Sequence, residues 1–215
     1  MSRLLLTIIM QNYSTLASTD PIKKLQERFG SRSAYARQEG YAYLDGLTEQ
    51  ETSFIANRDS FYITSTGEKG FPYIQHRGGP KGFLKVIDKD HIGFIDFNGN
   101  RPLTSASNRL THPKVSLIMV DYPRRARLKI YAEASLVALR DQPDLYHLLN
   151  PFDYPHYPDK MIVLAVDSYN WKCPQHITPR YSVEEIAAAM IERDEYVRSL
   201  EAELVRLHQR TNALS

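Results

Sequence analysis

The stretch that decides the fold is residues 61–77, which read Phe-Tyr-Ile-Thr-Ser-Thr-Gly-Glu-Lys-Gly-Phe-Pro-Tyr-Ile-Gln-His-Arg. Two short runs of β-branched and aromatic residues flank a four-residue turn from Gly67 to Gly70. Runs of this kind, bounded by turn residues, are typical of two strands joined as an antiparallel hairpin. The segment therefore predicts an antiparallel sheet and not alternating strands and helices.

Short runs of β-branched and aromatic residues separated by turn residues continue along the chain, and together they predict seven strands. A second tight turn, at residues 88–90, predicts another hairpin. Strands joined by such short links are expected to pair with their neighbours in sequence, and closing the twisted sheet into a barrel would remove its exposed edges. The predicted strands lie at about residues 61–66, 71–77, 83–88, 91–97, 114–121, 127–138 and 161–167.

Helices are predicted before the barrel and in two of its connections. Asp20 as the N-cap, Pro21 in the first turn and Gly30 as the stop predict one helix of an N-terminal arm over residues 1–46. Thr48 and Glu51 form a capping box for a second helix. Short helices are also predicted at residues 105–112 and 142–150, the latter followed by a Pro/Tyr-rich loop at residues 151–158.

A long C-terminal helix is predicted over residues 182–215, after a barrel domain at residues 47–181. Ser182 and Glu185 provide its capping box. Its apolar stripe has heptad spacing, which fits either a dimer contact or a helix lying on its own barrel. The stripe consists of Met190, Val197, Leu200, Leu204 and Leu207.

The net charge and the number of cysteines indicate which classes of partner and which cellular compartment to expect. The 27 Lys and Arg residues and 25 Asp and Glu residues give a net charge of only +2, with no concentrated basic patch, so no nucleic-acid partner is expected. The single cysteine, Cys173, cannot form an intrachain disulfide, which predicts the cytoplasm. The apolar run near the N-terminus is far shorter than the ~20 residues that span a bilayer, so no membrane association is expected.

A glycine-rich loop between two predicted strands is the first candidate binding element. Residues 75–86 read Gln-His-Arg-Gly-Gly-Pro-Lys-Gly-Phe-Leu-Lys-Val, so Arg77, Lys81 and Lys85 surround the glycines. Glycine allows close approach of the backbone to a ligand, and nearby cations suit a phosphate. A solvated hairpin loop would have the same composition.

The second candidate element is the turn after the predicted strand at residues 91–97. Asn98, Gly99 and Asn100 form the turn, Arg101 follows it, and Ser105 stands at the start of a predicted helix. A helix start flanked by serine and arginine is a favourable place for phosphate. N-capping and turn formation would explain the other residues but not Arg101.

The combined motifs resemble the pyridoxamine 5'-phosphate oxidase-like, FMN-binding split-barrel family. The similarity covers roughly residues 47–210 and lies in the His-Arg-Gly-Gly loop, the Phe-Leu-Lys strand, the Phe-x-Asp-Phe strand and the Gly-Asn-Arg turn. Further similarity lies in residues 111–117, 121–134 and 171–180. The resemblance implies a mainly β fold with flanking helices: an antiparallel split β-barrel with a long C-terminal helix.

The resemblance also implies a homodimer with FMN at the subunit interface. Phe83, Leu84 and Lys85 would lie along the flavin and its phosphate tail, and Arg77 and Arg101 are candidates for the phosphate. Gln175 and His176 would reach the flavin from either subunit. The predicted flavin-binding residues are, together, His76, Arg77, Gly78, Lys81, Phe83, Leu84, Lys85, Asp96, Asn100, Arg101, Ser105, Gln175 and His176.

Of two departures from the family's pattern, the first changes the expected phosphate coordination, with Lys81 or Arg77 compensating, and the second concerns the substrate. The oxidase commonly has a lysine after the arginine that matches Arg101, and this chain has Pro102. The C-terminal elements that serve the oxidase's vitamin substrate are replaced by Cys-Pro-Gln-His at residues 173–176, so oxidation of pyridoxamine phosphate is not predicted. Cys173 and His176 alone are too few for a structural zinc site, and no metal is expected.

The sequence therefore predicts an FMN-dependent oxidoreductase that acts on an unknown small-molecule substrate or electron donor. No residue stands out as a general acid or base, which fits chemistry centred on the flavin. Two alternatives remain on the same barrel: a protein that holds flavin without turnover and a haem-handling protein.

Overall fold

The structure is a computed structural model that describes residues 10–39, 46–67, 69–97, 112–172 and 175–212. It divides into two compact units. The first comprises residues 1–121 and 126–174, and the second comprises residues 122–125 and 175–215. No helix among the described residues is both long enough and apolar enough to cross a membrane.

Three short helices form the described part of the N-terminal arm: α1 (Tyr13–Ala17), α2 (Asp20–Arg28) and α3 (Arg32–Glu39). The N-cap of α2 is Thr19, one residue before the predicted Asp20, which is itself already helical. The predicted stop is confirmed, because Gly30 has the positive φ of 68° that a glycine adopts without strain after a helix.

Helix α4 (Glu49–Ala56) begins at the predicted capping box and lies against the sheet. Thr48 donates its backbone N–H to Glu51, whose other carboxylate oxygen accepts the indole N–H of Trp171 at 2.6 Å. Arg58, just after the helix, donates to the Asp121 carboxylate at 2.7 Å. Both contacts join residues more than 60 positions apart in sequence, so they fix α4 to the sheet.

The sheet has seven strands and pairs antiparallel throughout, which confirms the predicted fold class. The spatial order is β2-β1-β5-β6-β7-β4-β3. A short helix, α5 (Pro143–Leu149), precedes the last strand where the sequence predicted one. The strands are β1 (Ser60–Thr66), β2 (Pro72–Gly78), β3 (Lys85–Val86), β4 (His91–Phe97), β5 (Lys114–Asp121), β6 (Ala126–Val137) and β7 (Pro158–Lys172).

The prediction that all of the first four strands pair with their sequence neighbours is wrong for β2 and β3. These strands lie at opposite edges of the sheet. The predicted strand at residues 83–88 is reduced to two residues because Phe83 and Leu84 leave the ladder and bury their side chains, at 2% and 1% exposure. The loop between β2 and β3 therefore carries the chain from one edge of the sheet to the other.

The two edges of the sheet approach each other through side chains. Phe61 on β1 contacts Phe94 on β4, with ring centroids 5.3 Å apart, and Arg77 on β2 forms an ion pair with Asp96 on β4. No backbone ladder joins β2 to β3. The sheet is thus curled around its core with a gap in the ladder, which is the arrangement of a split barrel.

The second unit contains the long helix α6 (Val183–Asn212). The predicted capping box is confirmed: Ser182 donates its N–H to the Glu185 carboxylate at 2.8 Å, and its hydroxyl accepts from the Glu185 N–H at 3.2 Å. The same unit includes a stacking contact of the Arg180 guanidinium over the Tyr122 ring, 4.9 Å from the centroid. The division into arm, barrel and C-terminal helix at residues 46 and 181 stays a prediction.

Candidate functional site

A cavity of about 370 Å³ opens where β2 faces β4 across the gap in the ladder. This volume lies within the range of small-molecule sites. Its wall combines the end of edge strand β2, Phe83 after the glycine-rich loop, and the C-terminal part of β4. The lining residues are His76, Arg77, Gly78, Phe83, Phe94, Ile95, Asp96 and Phe97.

The glycine-rich loop shapes one side of this cavity. Gly79 donates its N–H to the Asp59 carbonyl at 2.9 Å, and Gly82, with a φ of 75°, donates to the Arg58 carbonyl at 2.8 Å. A Cβ on Gly79 would lie 2.7 Å from Cγ of Phe83. The two bonds turn the loop back beneath β1, and the missing side chain at Gly79 leaves room for the Phe83 ring.

Aromatic rings line the cavity and continue beyond it. Phe83 stacks on Phe61 with centroids 5.6 Å apart and contacts the edge of Phe94 at 6.3 Å. Phe97 contacts the rings of His156, at 4.8 Å, and Tyr154. The Pro/Tyr-rich loop is therefore held by aromatic contacts, and it extends the row of rings that begins in the cavity.

The charged part of the wall is the ion pair between Arg77 and Asp96. Arg77 Nη1 lies 2.5 Å from Asp96 Oδ1, and Nη2 donates to the Gln75 side chain at 3.1 Å. The two charged side chains are only 12% and 11% exposed. Arg77 Nε is buried and has no hydrogen-bond partner among the residues that the structure describes. Because an unpaired buried N–H is costly, this atom is suited to donate to an acceptor that enters the cavity.

A second cavity of about 350 Å³ lies beside the N-terminal helices. Its wall includes Tyr13, Gln26, Phe29 and Tyr35 and, among the described residues, no charged side chain. Burial, together with a hydrogen bond to Tyr131, raises the pKa of Tyr13 to about 12, so its hydroxyl stays protonated at neutral pH. This cavity offers no cation to a phosphate, and the cavity at Arg77 is the better candidate for a nucleotide-like ligand.

The structure brings five of the predicted site residues to one cavity: His76, Arg77, Gly78, Phe83 and Asp96. Lys81, Leu84 and Lys85 do not line it; Leu84 is buried in the core and Lys81 is exposed. Gln175 and His176 are exposed residues of the second unit. Asn100, Arg101 and Ser105 lie outside the described residues, as does Cys173. The role of every one of these residues stays a prediction.

The sequence analysis missed three lining residues, Phe94, Ile95 and Phe97. Phe94 could have been predicted, because residues two apart in a strand share a face and Asp96 was already a candidate. The contribution of the loop carrying Tyr154 and His156 had no such signal, since about 60 residues separate it from β4.

Comparison with known proteins found solved structures that are similar at low sequence identity. No protein-family model and no curated protein matches the chain. Among solved structures, HupZ of Group A Streptococcus is 13% identical over 63% of this chain and 100% of that one, with a TM-score of 0.48. A putative pyridoxamine 5'-phosphate oxidase from Lactobacillus delbrueckii is 17% identical over 59% and 95%, with a TM-score of 0.45.

An FMN-binding protein from Syntrophomonas wolfei is also similar in structure. It is 15% identical over 70% of this chain and 97% of that one, with a TM-score of 0.44. The structures found thus include members of the family that the motifs resemble. Their ligands and activities are properties of those proteins.

Proposed function

We propose that this chain is an FMN-dependent oxidoreductase that acts on a small substrate in the cytoplasm, with FMN held at the cavity between β2 and β4. The proposal includes a homodimer that has the flavin at its subunit interface. It rests on the cavity and on the family motifs, which coincide at the loop between β2 and β3.

The observation that carries the proposal is the pairing of a buried donor with an aromatic wall. Within the described part of the chain Arg77 Nε lacks a partner, and Phe83, Phe94 and Phe97 line the same cavity. A flavin has a planar aromatic ring system with carbonyl and nitrogen acceptors on its rim, so it fits both features. The residues present therefore suit the group.

Different residues are assigned to the ring and to the phosphate of the flavin according to their charge. Arg77 already shares its charge with Asp96, so its Nε–H suits a neutral acceptor such as a ring carbonyl. A phosphate needs a cation that is not neutralised, and we assign this part to Arg101, with Lys81 and Lys85 as further candidates. Asp96 holds the Arg77 guanidinium in place.

When bound, the flavin supplies the electron-transfer chemistry. The protein's residues bind and orient it, and the rings of Phe83 and Phe94 exclude water from one side of the cavity. His76, at the cavity rim, is exposed on edge strand β2 and is available to contact ligand or substrate.

The first experiment is the visible spectrum of the protein purified without added cofactor, followed by chromatographic identification of what heat releases. We expect flavin absorbance and released FMN. Addition of NADH or NADPH should reduce the bound flavin, and subsequent addition of an electron acceptor should reoxidise it. Bound flavin without turnover would support a flavin store instead, and a Soret band in place of flavin absorbance would support haem handling.

The second experiment is fluorescence titration of the dialysed protein with FMN. We expect Arg101→Ala and His76→Ala each to weaken binding, by about tenfold or more for Arg101→Ala, because charged hydrogen bonds contribute about 1.5–3 kcal/mol. Arg140→Ala is the matched control, since its side chain is 93% exposed and lies away from the cavity. Equal affinities in all variants would refute the assignment.

A further inference from the structure

Helix α6 carries a heptad pattern of mostly apolar residues on an exposed surface. None of residues 183–212 is buried. Its first heptad position contains Val183, Met190, Val197 and Leu204, and its fourth contains Ile186, Arg193, Leu200 and Leu207. We call these eight residues the seam. Its seven apolar members are 42–78% exposed, which is unusual for so regular a row of large apolar side chains.

The length of the seam limits which helices could pack against all of it. A helix of 30 residues is about 45 Å long. The next longest helix in the described part of the chain is α2, with nine residues. A second copy of α6 has the same length and the same spacing. Mostly apolar residues at the first and fourth positions of four heptads are typical of a helix that packs against another helix with the same spacing.

Arg193 decides the orientation of two such helices. In a parallel pair the same positions face each other, so two Arg193 guanidiniums would share one layer of the core. In an antiparallel pair centred on Glu195, every first position faces a fourth position of the other copy. Val183 then faces Leu207, Ile186 faces Leu204, Met190 faces Leu200, and Arg193 faces Val197.

The antiparallel alignment also supplies charge complementarity at its centre. Asp194 and Glu201 stand three residues before and four residues after Val197, within one turn on the same side of the helix. They therefore lie beside the Arg193 of the opposite copy. Arg193 already forms an ion pair with Asp194 of its own helix at 2.7 Å, so two such pairs would meet at the centre.

We propose that α6 is a self-association element, through which two copies of this chain pair as an antiparallel coiled coil with Arg193 facing Val197 at its centre. This interface is separate from the flavin cavity, and it depends neither on FMN nor on the activity proposed above.

Disulfide trapping in the full-length chain tests the register. In a Cys173→Ser background, the double variant Met190→Cys/Leu200→Cys should form covalent dimers on mild oxidation, because residues 190 and 200 of opposite copies face each other. The matched control is Ala188→Cys/Ala202→Cys, which is related by the same centre but lies on the outer face. Ten residues of one helix span about 15 Å, so neither pair can close within a chain.

The outcomes separate the alternatives. Cross-linking of the 190/200 variant at least about tenfold faster than the 188/202 control supports the proposal. Absence of cross-linking, as expected if the seam lies on its own barrel, overturns it. Cross-linking of the single variant Leu200→Cys at a rate similar to that of the double variant overturns the antiparallel orientation, since only a parallel pair brings residue 200 next to its own copy.

Association in solution gives a second, independent measurement. Leu200→Glu/Leu204→Glu should weaken the association through α6, measured by sedimentation equilibrium, by about a hundredfold or more, because it places carboxylates in the seam. Ser199→Glu/Ala202→Glu adds the same charge on the outer face and should leave association unchanged. The dimer proposed at the flavin site is expected to remain in both the seam variant and this control. Equal association of the two variants overturns the proposal. FMN titration of both variants shows separately whether the flavin site is intact.

Discussion

Gly79 is the residue whose size most directly controls the cavity. A Cβ there would meet three atoms of Phe83 at 2.7–3.0 Å, and Phe83 is buried between Phe61 and Phe94. Because the ring has no free space to enter, Gly79→Ala should destabilise the fold by about 1–3 kcal/mol, the usual effect of overpacking. It should also weaken FMN binding. Urea denaturation and FMN titration measure the two effects.

The adjacent glycine provides the control for this prediction. A Cβ on Gly78 would lie 3.1 Å from Cε1 of His76, which is the far end of an exposed side chain, and 3.6 Å from the Asp59 carbonyl oxygen. Gly78→Ala should therefore change the urea midpoint little. If the two variants are equally stable, packing of Phe83 against Gly79 does not shape the cavity.

At the scale of single residues, the sequence predicts which side chains lie near one another better than it predicts their bonding partners. Five of the candidates line one cavity, because the glycine-rich loop and its neighbouring strand form a local unit. The ion pair of Arg77 with Asp96 was not predicted. These residues are 19 positions apart and on opposite edges of the sheet, so the contact exists only because the sheet curls.

At the scale of elements, Glu51 connects α4 to β7. Burial alone would raise the pKa of its carboxyl, but hydrogen bonds from Thr48 and Trp171 outweigh burial and hold the pKa below its usual value. A carboxyl whose pKa is lower in the folded chain contributes stability above its unfolded pKa of about 4.3. That contribution is lost as the pH falls through the lower, folded value.

Glu51→Gln should therefore lower the free energy of unfolding by about 1–3 kcal/mol at pH 7, since an amide nitrogen cannot accept the Thr48 N–H. The difference from the unsubstituted chain should shrink as the pH falls below about 4. Chemical denaturation at pH 7, 5 and 3 measures it. Glu49→Gln, an exposed substitution in the same helical turn, should show a much smaller difference at each pH. A difference for Glu51→Gln that does not change with pH would contradict this account.

The pairing of strands shows where local reasoning about elements fails. The hairpin of β1 and β2 follows from its turn, and so does that of β3 and β4. The link between β2 and β3 is nearly as short, yet Phe83 and Leu84 within it are buried in the core. Whether two large apolar side chains are buried depends on packing partners from the rest of the sheet, and the residues of the turn do not predict this.

At the scale of the whole molecule, two of the cavities in the described part of the chain are similar in size and differ in the cations near them. Among the described residues, the cavity beside the N-terminal helices has no charged lining residue, whereas the cavity between β2 and β4 is lined by the paired Arg77 and Asp96 and lies beside the predicted phosphate-binding loop, which carries Lys81. A phosphorylated ligand should therefore prefer the second cavity, and its phosphate should contribute to affinity.

Comparison of FMN with riboflavin tests this expectation on the intact protein, because the two differ only by the phosphate. A ligand at 100 times its dissociation constant stabilises the folded state by about 2.7 kcal/mol, which corresponds to roughly 5–10 °C in Tm for a domain of this size. We expect FMN to raise the Tm by that amount and riboflavin at the same concentration to raise it much less. In Arg101→Ala the two ligands should have nearly equal, small effects, since the phosphate then lacks its main cation. If riboflavin stabilises the unsubstituted chain as strongly as FMN does, the phosphate is not bound, and the assignment of Arg101 is wrong even though a flavin site exists.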